Sequence, residues 1–290
     1  MTHCFVRIEL VGTGRLRISA ISYLNTAPLI WDFEHGEAGQ AFDISYTVPS
    51  QCAAQLNAGT VDIGLIPSAA YVTVPDLVVL PGVAIASKRA VRSILLVSKV
   101  PVEEIRRVAL DTSSLTSVAL TKVLFEKLWG KPCEFIAKAP DLQQMLNECD
   151  AGVLIGDPAL KVDRTQYVTY DLADEWIRLT GKPFVFAFWA VRQEALGYLD
   201  PSINLARVLQ ESRDHGLDPH NLDTIAVEWA PRLGLTEDAV KSYLTQNIFY
   251  HLDQECLDGL HLFYRYAAEC KVVMTIPTLH FLDAEKPAVI

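Results

Sequence analysis

Strand-like and helix-like segments alternate over much of the chain, and this alternation limits the fold more than any other feature. Residues 15–20 and 42–48 alternate polar and apolar side chains, as half-buried strands do. Residues 184–191 are continuously apolar and rich in β-forming residues, which is typical of a strand buried on both faces. Helix-like segments, such as residues 116–129, separate the strands. The pattern therefore predicts an α/β protein with mostly parallel sheets covered by helices.

The order of these segments divides the chain into two lobes. We expect an inserted α/β lobe over residues 99–192, and a first lobe made of residues 1–98 and 193–290 with a helical C-terminal part. The chain would then cross between the lobes twice, near residues 98–101 and 189–193. Two crossings form a hinge, and the cleft between the lobes is the natural place for a ligand.

The charge balance and the hydropathy exclude several classes of partner. The 290 residues include 25 Lys and Arg against 35 Asp and Glu, so the formal net charge is −10. No block of basic residues could neutralise a row of phosphates, which argues against nucleic-acid binding. No window has the apolar length of a membrane span, and residues 1–16 lack the apolar core of a signal peptide. We therefore expect a cytoplasmic protein that binds a small molecule; its oligomeric state stays open.

Common catalytic and metal-binding motifs are missing from the sequence. The six cysteines are scattered, and the closest pair, Cys256 and Cys270, is 14 residues apart, so no zinc or iron–sulphur spacing occurs. The GxSxG, GxGxxG, P-loop and HExxH motifs are absent as well. A hydrolase triad, a metal enzyme and a nucleotide enzyme are therefore disfavoured, and no metal ligand is predicted.

The first candidate site follows the first strand. Residues 19–28 contain the predicted end of a strand and the start of a helix. Asn25 or Thr26 is the expected N-cap, and Pro28 lies in the first turn. Ligands of open α/β sheets bind at the carboxyl ends of strands, so a polar side chain here is well placed to contact one. Local sequence leaves both interpretations open, because an asparagine at this point can serve as a helix cap and nothing more.

A cluster of hydroxyl side chains marks the second candidate site. Five of the six residues 112–117 carry a hydroxyl group, and they stand between a buried strand and a helix. One of them suffices as an N-cap. The others, including Ser113, Ser114, Thr116 and Ser117, are suited to surround an anion at the positive end of the helix. The alternative is a solvated Ser/Thr turn without a ligand.

Two weaker signals lie at other strand ends. Gly156 follows a buried strand and would permit close approach of another group, and Asp157 would cap the next helix or accept a ligand hydroxyl. Ser87 and Ser93 place hydroxyl groups near another turn between strands. Each of these signals is weak when taken alone.

Taken together and in order, these segments resemble one enzyme family. The sequence is similar to chorismate dehydratases, which act first in the futalosine route to menaquinone. The resemblance runs from about residue 15 to 270 and is carried by Ile21-Ser-Tyr-Leu-Asn-Thr-Ala-Pro-Leu29, Val61-Asp-Ile-Gly-Leu-Ile-Pro-Ser68, Asp111-Thr-Ser-Ser-Leu-Thr-Ser117, Leu154-Ile-Gly-Asp157 and Pro183-Phe-Val-Phe-Ala-Phe-Trp-Ala-Val-Arg192, with Asn247-Ile-Phe-Tyr250 and Leu257-Asp-Gly-Leu260 near the end. The later dihydroxynaphthoate synthase of the same pathway has a Ser-Pro-Cys-Pro-Asn-like opening instead.

The resemblance implies a type II periplasmic-binding-protein fold with a ligand cleft between two lobes. It also implies the dehydration of chorismate to 3-(1-carboxyvinyloxy)benzoate without a metal or organic cofactor. This reaction removes a ring proton and the neighbouring hydroxyl group, and the formation of the aromatic ring drives it. The protein then mainly has to orient the substrate and stabilise developing charge.

The residue roles that follow from this resemblance are hypotheses. Asn25 is the central catalytic residue, which holds the leaving hydroxyl or the enolpyruvyl carboxylate. Ser93 is the second catalytic contact, with Ser87 as its rival. The base is either the substrate's own enolpyruvyl carboxylate or Asp157. The expected substrate-binding residues are Tyr23, Thr26, Ser87, Ser113, Ser114, Thr116, Ser117, Gly156 and Asp157.

Two other functions compete with the dehydratase. One is a cytoplasmic solute-binding or sensor protein of the same fold that closes on a small carboxylate and carries out no chemistry. The other is an enzyme that acts on futalosine-derived naphthoate precursors, which the Ser22-Tyr-Leu-Asn25 opening disfavours. The fold itself does not separate an enzyme from a binding protein, because one scaffold serves both.

Overall fold

The computed structural model describes residues 15–36 and 38–283. The prediction that residues 1–16 contain no signal peptide concerns a segment that lies mostly outside the described residues, and Cys4 lies outside them as well. Cys52, Cys149 and Cys256 are buried, and Cys133 and Cys270 are half-buried; all five are free thiols.

Ten strands and eleven α-helices make up the described part of the chain. The strands are β1 Leu16–Ile21, β2 Phe42–Thr47, β3 Ile63–Pro67, β4 Leu77–Ser87, β5 Ile94–Ser98, β6 Arg107–Asp111, β7 Glu134–Lys138, β8 Ala151–Ile155, β9 Val168–Asp171 and β10 Phe184–Arg192. The α-helices are α1 Trp31–His35, α2 Ala38–Ala41, α3 Pro49–Ala58, α4 Leu115–Lys127, α5 Leu142–Glu148, α6 Gly156–Leu160, α7 Leu172–Thr180, α8 Leu205–Gly216, α9 Pro219–Leu233, α10 Glu237–Ser242 and α11 Gln254–Glu269. Short 3₁₀ segments cover Leu24–Ile30, Ser68–Val72, Val102–Glu104 and Gln193–Tyr198, and a π-helical turn covers Tyr243–Asn247.

The strands form two five-stranded sheets, one in each lobe. The first sheet has the order β2-β1-β3-β10-β4, and the second has the order β7-β6-β8-β5-β9. Neighbouring strands run parallel except at β10 and β5, each of which is antiparallel to both of its neighbours. The two-lobed α/β prediction is therefore confirmed, with one antiparallel strand in each otherwise parallel sheet.

The lobes are divided at different points from those predicted. β5 belongs to the second sheet and β10 to the first, so the chain crosses at residues 88–93 and 181–183. The boundaries were predicted near residues 98–101 and 189–193, at the C-terminal ends of β5 and β10. The chain instead crosses before the N-terminal end of each strand. Both strands are apolar on both faces, and hydrophobic periodicity shows that such a strand is central without showing to which sheet it belongs.

The C-terminal helix covers the first sheet as its sequence pattern predicts. Cys256, Leu260, Phe263 and Ala267 form one buried stripe of α11. The Phe263 ring packs edge-on against the Phe184 ring of β10, with 5.0 Å between the ring centroids. This packing buries β10 in the middle of its sheet.

Helix α8 holds the segment after β1 in place. The Ser212 hydroxyl donates to the Leu29 carbonyl oxygen at 3.1 Å, and the Asp32 amide N–H donates to the same hydroxyl. At the end of α8, a Cβ added to Gly216 would lie 2.1 Å from the Pro28 carbonyl oxygen. Only glycine permits this approach, so residues 24–30 lie directly against the helix backbone.

We expect Gly216→Ala to destabilise the first lobe, because neither backbone can yield easily to the added methyl group. The free energy of unfolding should fall by about 1–3 kcal/mol, the usual cost of overpacking. Gly197→Ala is the matched control, since a Cβ at Gly197 would have no heavy atom within 4 Å. Urea denaturation of both variants measures the difference; equal stability of the two would contradict the close packing.

Candidate active site

A cleft lies between the two lobes. Its walls are mostly apolar, with isoleucine side chains from both sheets and the Phe186 ring. Six of the predicted site residues line it: Tyr23, Asn25, Ser114, Thr116, Ser117 and Gly156. None of the described lining residues is acidic or basic, so any charge on a ligand must be met by dipoles and hydrogen bonds.

Asn25 has an unsatisfied acceptor in this cleft. It lies in the 3₁₀ segment after β1 and is 8% exposed, and its Oδ1 atom is buried without a hydrogen-bond partner. A buried polar atom without a partner is costly, so it marks a position where a ligand can supply the missing contact. Thr26 also has a buried hydroxyl without a partner, but it is not among the lining residues.

The expected N-cap at Asn25 or Thr26 is wrong. The cap position is Tyr23, its side chain makes no capping bond, and Pro28 lies inside the 3₁₀ segment. The amide N–H of Leu24, the first in the segment, donates instead to the Asp157 carboxylate across the cleft at 3.0 Å. The opposite lobe thus satisfies this helix start, and the Asn25 Oδ1 atom is not used as its cap.

Asp157 is an acid held in an unfavourable environment. Burial raises the pKa of its carboxyl to about 6, although the Leu24 N–H and the charge of Lys161 act in the opposite direction. The residue lies in the first turn of α6, whose cap position is Ile155. Asp157 therefore does not cap its own helix; it joins the two lobes.

Tyr23 and Gly156 make a second contact between the lobes. Gly156 has a φ of +61°, and a Cβ added there would lie 2.6 Å from the Tyr23 ring. Burial raises the pKa of the Tyr23 phenol, and the nearby Ser113 side chain acts in the opposite direction. The close approach expected at Gly156 is confirmed, and the group that approaches is an aromatic ring of the first lobe.

Four of the five hydroxyl residues at the start of α4 are buried and are largely occupied by internal hydrogen bonds, whereas Thr112 is exposed. Ser114 is the N-cap and accepts from the Ser117 amide N–H at 3.1 Å. Ser113 donates to the Asp111 carboxylate at 2.6 Å, and Thr116 accepts from the Ala69 amide N–H of the first lobe at 3.1 Å. The cluster is therefore no solvated turn. Because Ser114 already accepts from the Ser117 N–H, the Leu115 and Thr116 N–H groups are the first-turn donors of α4 that remain for a ligand.

Ser93 and Ser87 lie on the crossing between the lobes and have different surroundings. Ser93 is fully buried just before β5, and its Oγ atom accepts a hydrogen bond of 2.8 Å from the Tyr243 hydroxyl. The Ser87 hydroxyl donates to the backbone carbonyl oxygens of Arg89 and Asn247. The side chain of Ser87 is thus held by backbone groups, whereas Ser93 belongs to a side-chain network.

Tyr243 is the residue of this site that the sequence analysis missed. It begins the π-helical turn near the C-terminus, is fully buried, and its hydroxyl donates to Ser93 Oγ at 2.8 Å. Burial raises the pKa of the phenol far above its ordinary value, so the hydroxyl stays protonated. The resemblance pointed to nearby residues 247–250, but no local pattern distinguishes Tyr243 from an aromatic core residue.

Within residues 15–36 and 38–283, no three His, Cys, Asp or Glu side chains are grouped to hold a metal ion. No helix in these two stretches has the length and apolarity needed to cross a membrane.

Two lobes joined by two crossings, with the ligand cleft between them, define the architecture of the periplasmic binding proteins. A crystal structure of an Archaeoglobus fulgidus protein matches with a TM-score of 0.69 at 18% identity, over 89% of this chain and 98% of that one. The periplasmic aliphatic sulphonate-binding protein of Escherichia coli matches with a TM-score of 0.61 at 18% identity, over 93% and 94% of the two chains. These likenesses confirm the predicted fold.

Sequence comparison identifies the family within this fold. A family model described as menaquinone biosynthesis matches residues 16–269. The chorismate dehydratase of Thermus thermophilus is 32% identical over 259 residues, which are 83% of this chain and 91% of that protein. The chain therefore belongs to the menaquinone biosynthesis family, as the resemblance in its motifs predicted.

We expect Asp157→Asn to stabilise the protein at neutral pH. Raising the pKa of an acid from 3.8 to about 6 on folding means that ionisation costs stability as the pH rises through this range. Asparagine keeps an acceptor for the Leu24 N–H but carries no charge. The gain should be at most about 3 kcal/mol at pH 7.5 and should vanish near pH 3, where the Asp157 carboxyl is protonated in both the folded and the unfolded chain. Denaturant unfolding at both pH values measures it; an equal effect at both would contradict the burial of the charge.

Proposed function

We propose that this protein is a chorismate dehydratase of menaquinone biosynthesis, which acts in the cytoplasm without a metal or organic cofactor. The observation that carries the proposal is the buried, unpartnered Oδ1 atom of Asn25 in an apolar cleft. Similarity to a curated chorismate dehydratase over most of the chain supports the choice of substrate.

The cleft suits a flat, doubly negative ring compound. The isoleucine side chains and Phe186 can flank the ring, and the first turn of α4 can receive one carboxylate. Ser114, Thr116 and Ser117 surround this turn. Binding of the anion then depends on local N–H groups and the helix dipole, which is compatible with a net charge of −10 on the whole protein.

The reaction is an elimination in which all electrons stay in the substrate. A base removes a ring proton, the electrons of that C–H bond form the last double bond of the aromatic ring, and the neighbouring C–O bond breaks. The departing hydroxide takes up the abstracted proton and leaves as water. In our proposal Asn25 Oδ1 accepts the O–H of the leaving hydroxyl and fixes its position. Ser93 accepts from Tyr243, so its own proton is available for the oxygen that departs.

We assign the role of the base to the enolpyruvyl carboxylate of the substrate. Asp157 is the alternative within the protein, but its carboxylate already accepts a hydrogen bond from the Leu24 N–H. Its proposed role is therefore to hold the segment that carries Asn25. Tyr23 and Gly156 hold the same segment from the other side by their contact across the cleft.

The alternative of a carboxylate-binding or sensor protein is not favoured. The Escherichia coli binding protein is 18% identical, which supports only the fold, whereas the Thermus thermophilus relative at 32% identity is an enzyme. Incubation of the purified protein with chorismate, followed by mass spectrometry, tests the proposal. We expect chorismate to lose one molecule of water; chorismate that binds and stays unchanged would make the protein a binding module.

We expect Asn25→Ala to lower kcat by about 100-fold, because the leaving hydroxyl loses the group that orients it. Affinity for the aromatic product should change little, since the apolar walls and the start of α4 are intact. Turnover and product affinity are measured on the same preparation, with a melting curve as the control for folding. Turnover close to that of the wild type would contradict the role of Asn25.

Substitutions at Asp157 separate the two candidate bases. If the substrate supplies the base, Asp157→Asn should keep turnover within about tenfold, because the amide oxygen still accepts from the Leu24 N–H. Asp157→Ala lacks this acceptor and should be slower than Asp157→Asn. An inactive Asp157→Asn variant that still binds chorismate with normal affinity would identify Asp157 as the base.

A further inference from the structure

The closed cleft is too small to hold a ring compound. Its free volume is about 50 Å³, whereas an apolar protein cavity that binds benzene has about 150 Å³. A ring that carries two carboxylate substituents needs more space than benzene. A ligand of this class can therefore enter only if a side chain that lines the cleft moves aside.

Tyr23 is the lining side chain that is best placed to move. The described lining contains two aromatic rings, Tyr23 and Phe186. Phe186 is buried within β10, and its ring centroid lies 4.7 Å from that of Phe184. Tyr23 follows the end of β1 and is half-buried, so its ring lies at the margin of the cleft next to solvent. Rotation about the Cα–Cβ bond of Tyr23 is enough to carry this ring out of the cleft.

The Tyr23 ring lies directly on the backbone of Gly156 in the other lobe. A Cβ added to Gly156 would be 2.6 Å from Tyr23 Cδ2 and 2.7 Å from Tyr23 Cε2. The φ of Gly156 is +61°, so both the backbone conformation and the space require glycine. Because both residues line the cleft, the ring fills space between the lobes that a ligand could otherwise use.

The backbone on both sides of Tyr23 is fixed by hydrogen bonds. The Ser22 amide N–H donates to the Thr47 carbonyl oxygen at 3.0 Å, and the Leu24 amide N–H donates to the Asp157 carboxylate at 3.0 Å. Neither bond involves the side chain of Tyr23. The ring can therefore leave the cleft while the lobes stay joined at the Leu24 bond.

We propose that the Tyr23 ring is an internal plug, which occupies part of the ligand space and has to be displaced before a one-ring dicarboxylate binds. The class of ligand rests on the proposed function. Only molecules whose ring is displaced are competent to bind, so the apparent affinity is lower than the intrinsic affinity by the competent fraction. A ring that served as a wall of the site would act in the opposite direction, because its removal would weaken binding.

Tyr23→Ala tests the plug, and Tyr23→Phe is the matched control because phenylalanine keeps the ring. The probe is 3-(carboxymethoxy)benzoate, a one-ring dicarboxylate without a hydroxyl group to eliminate, and surface plasmon resonance measures its binding. We expect Tyr23→Ala to bind about tenfold faster and about tenfold more tightly, with nearly the same dissociation rate. Tyr23→Phe should stay within about threefold of the wild type. Weaker or absent binding by Tyr23→Ala would overturn the proposal, as would equal gains in both variants.

Gly156→Ala displaces the same ring from the opposite lobe. The added methyl group collides with Tyr23, so we again expect about tenfold tighter binding of the probe. Gly130→Ala is the matched control, because its φ is also +61° and a Cβ there would have no heavy atom within 4 Å. The strain of a left-handed alanine is thus common to both variants. A melting curve checks folding; unchanged affinity in folded Gly156→Ala would contradict the plug, and Tyr23→Ala decides alone if Gly156→Ala does not fold.

Binding and turnover separate this inference from the proposed function. Tighter binding of the probe by Tyr23→Ala, together with a wild-type protein that leaves chorismate unchanged, would overturn the proposed function and support the plug. Dehydration of chorismate by the wild type, together with weaker binding of the probe by Tyr23→Ala, would overturn the plug alone.

Discussion

The hydrogen bond from the Leu24 amide N–H to the Asp157 carboxylate is the contact on which the site depends. It satisfies the start of the 3₁₀ segment from the opposite lobe, which leaves the Asn25 side chain available in the cleft. The same bond keeps a carboxyl buried with a raised pKa. Closing the lobes thus assembles the site and costs free energy, because a buried acid favours its protonated form.

Further contacts between the lobes reinforce this closed arrangement. The Ala69 N–H donates to Thr116 Oγ1, and the Ser50 N–H donates to the Ser113 carbonyl oxygen at 3.0 Å. These bonds use hydroxyl and carbonyl groups of the segment that leads into α4, next to the backbone N–H groups available for an anion. The described lining of the cleft contains no charged side chain. In our account a carboxylate is therefore bound by the backbone N–H groups and the dipole at the start of α4.

Sequence reasoning found the parts of the site that depend on local backbone chemistry. Gly156 was expected to permit close approach, and the Tyr23 ring lies against it. The hydroxyl cluster was expected at a helix start, and Ser114 is the N-cap of α4. Both features depend on interactions between residues that are close together in the chain, so a single sequence is enough to predict them.

The features that sequence reasoning missed depend on contacts between distant segments. Asn25 was expected to cap its own helix, but Asp157 satisfies the first N–H from more than a hundred residues away. Tyr243 looks like a core aromatic residue because its hydroxyl partner lies on another element. The lobe boundaries were misplaced because β5 and β10 are apolar on both faces, which conceals the sheet to which each belongs.

A crystal structure of the Asn25→Ala variant with bound chorismate would test the central claim most directly. The account predicts the ring between the isoleucine-lined walls of the cleft and one carboxylate about 3 Å from the first-turn backbone N–H groups of α4. It also predicts that the leaving hydroxyl points toward position 25. Chorismate bound outside the cleft, or with both carboxylates turned away from α4, would contradict it.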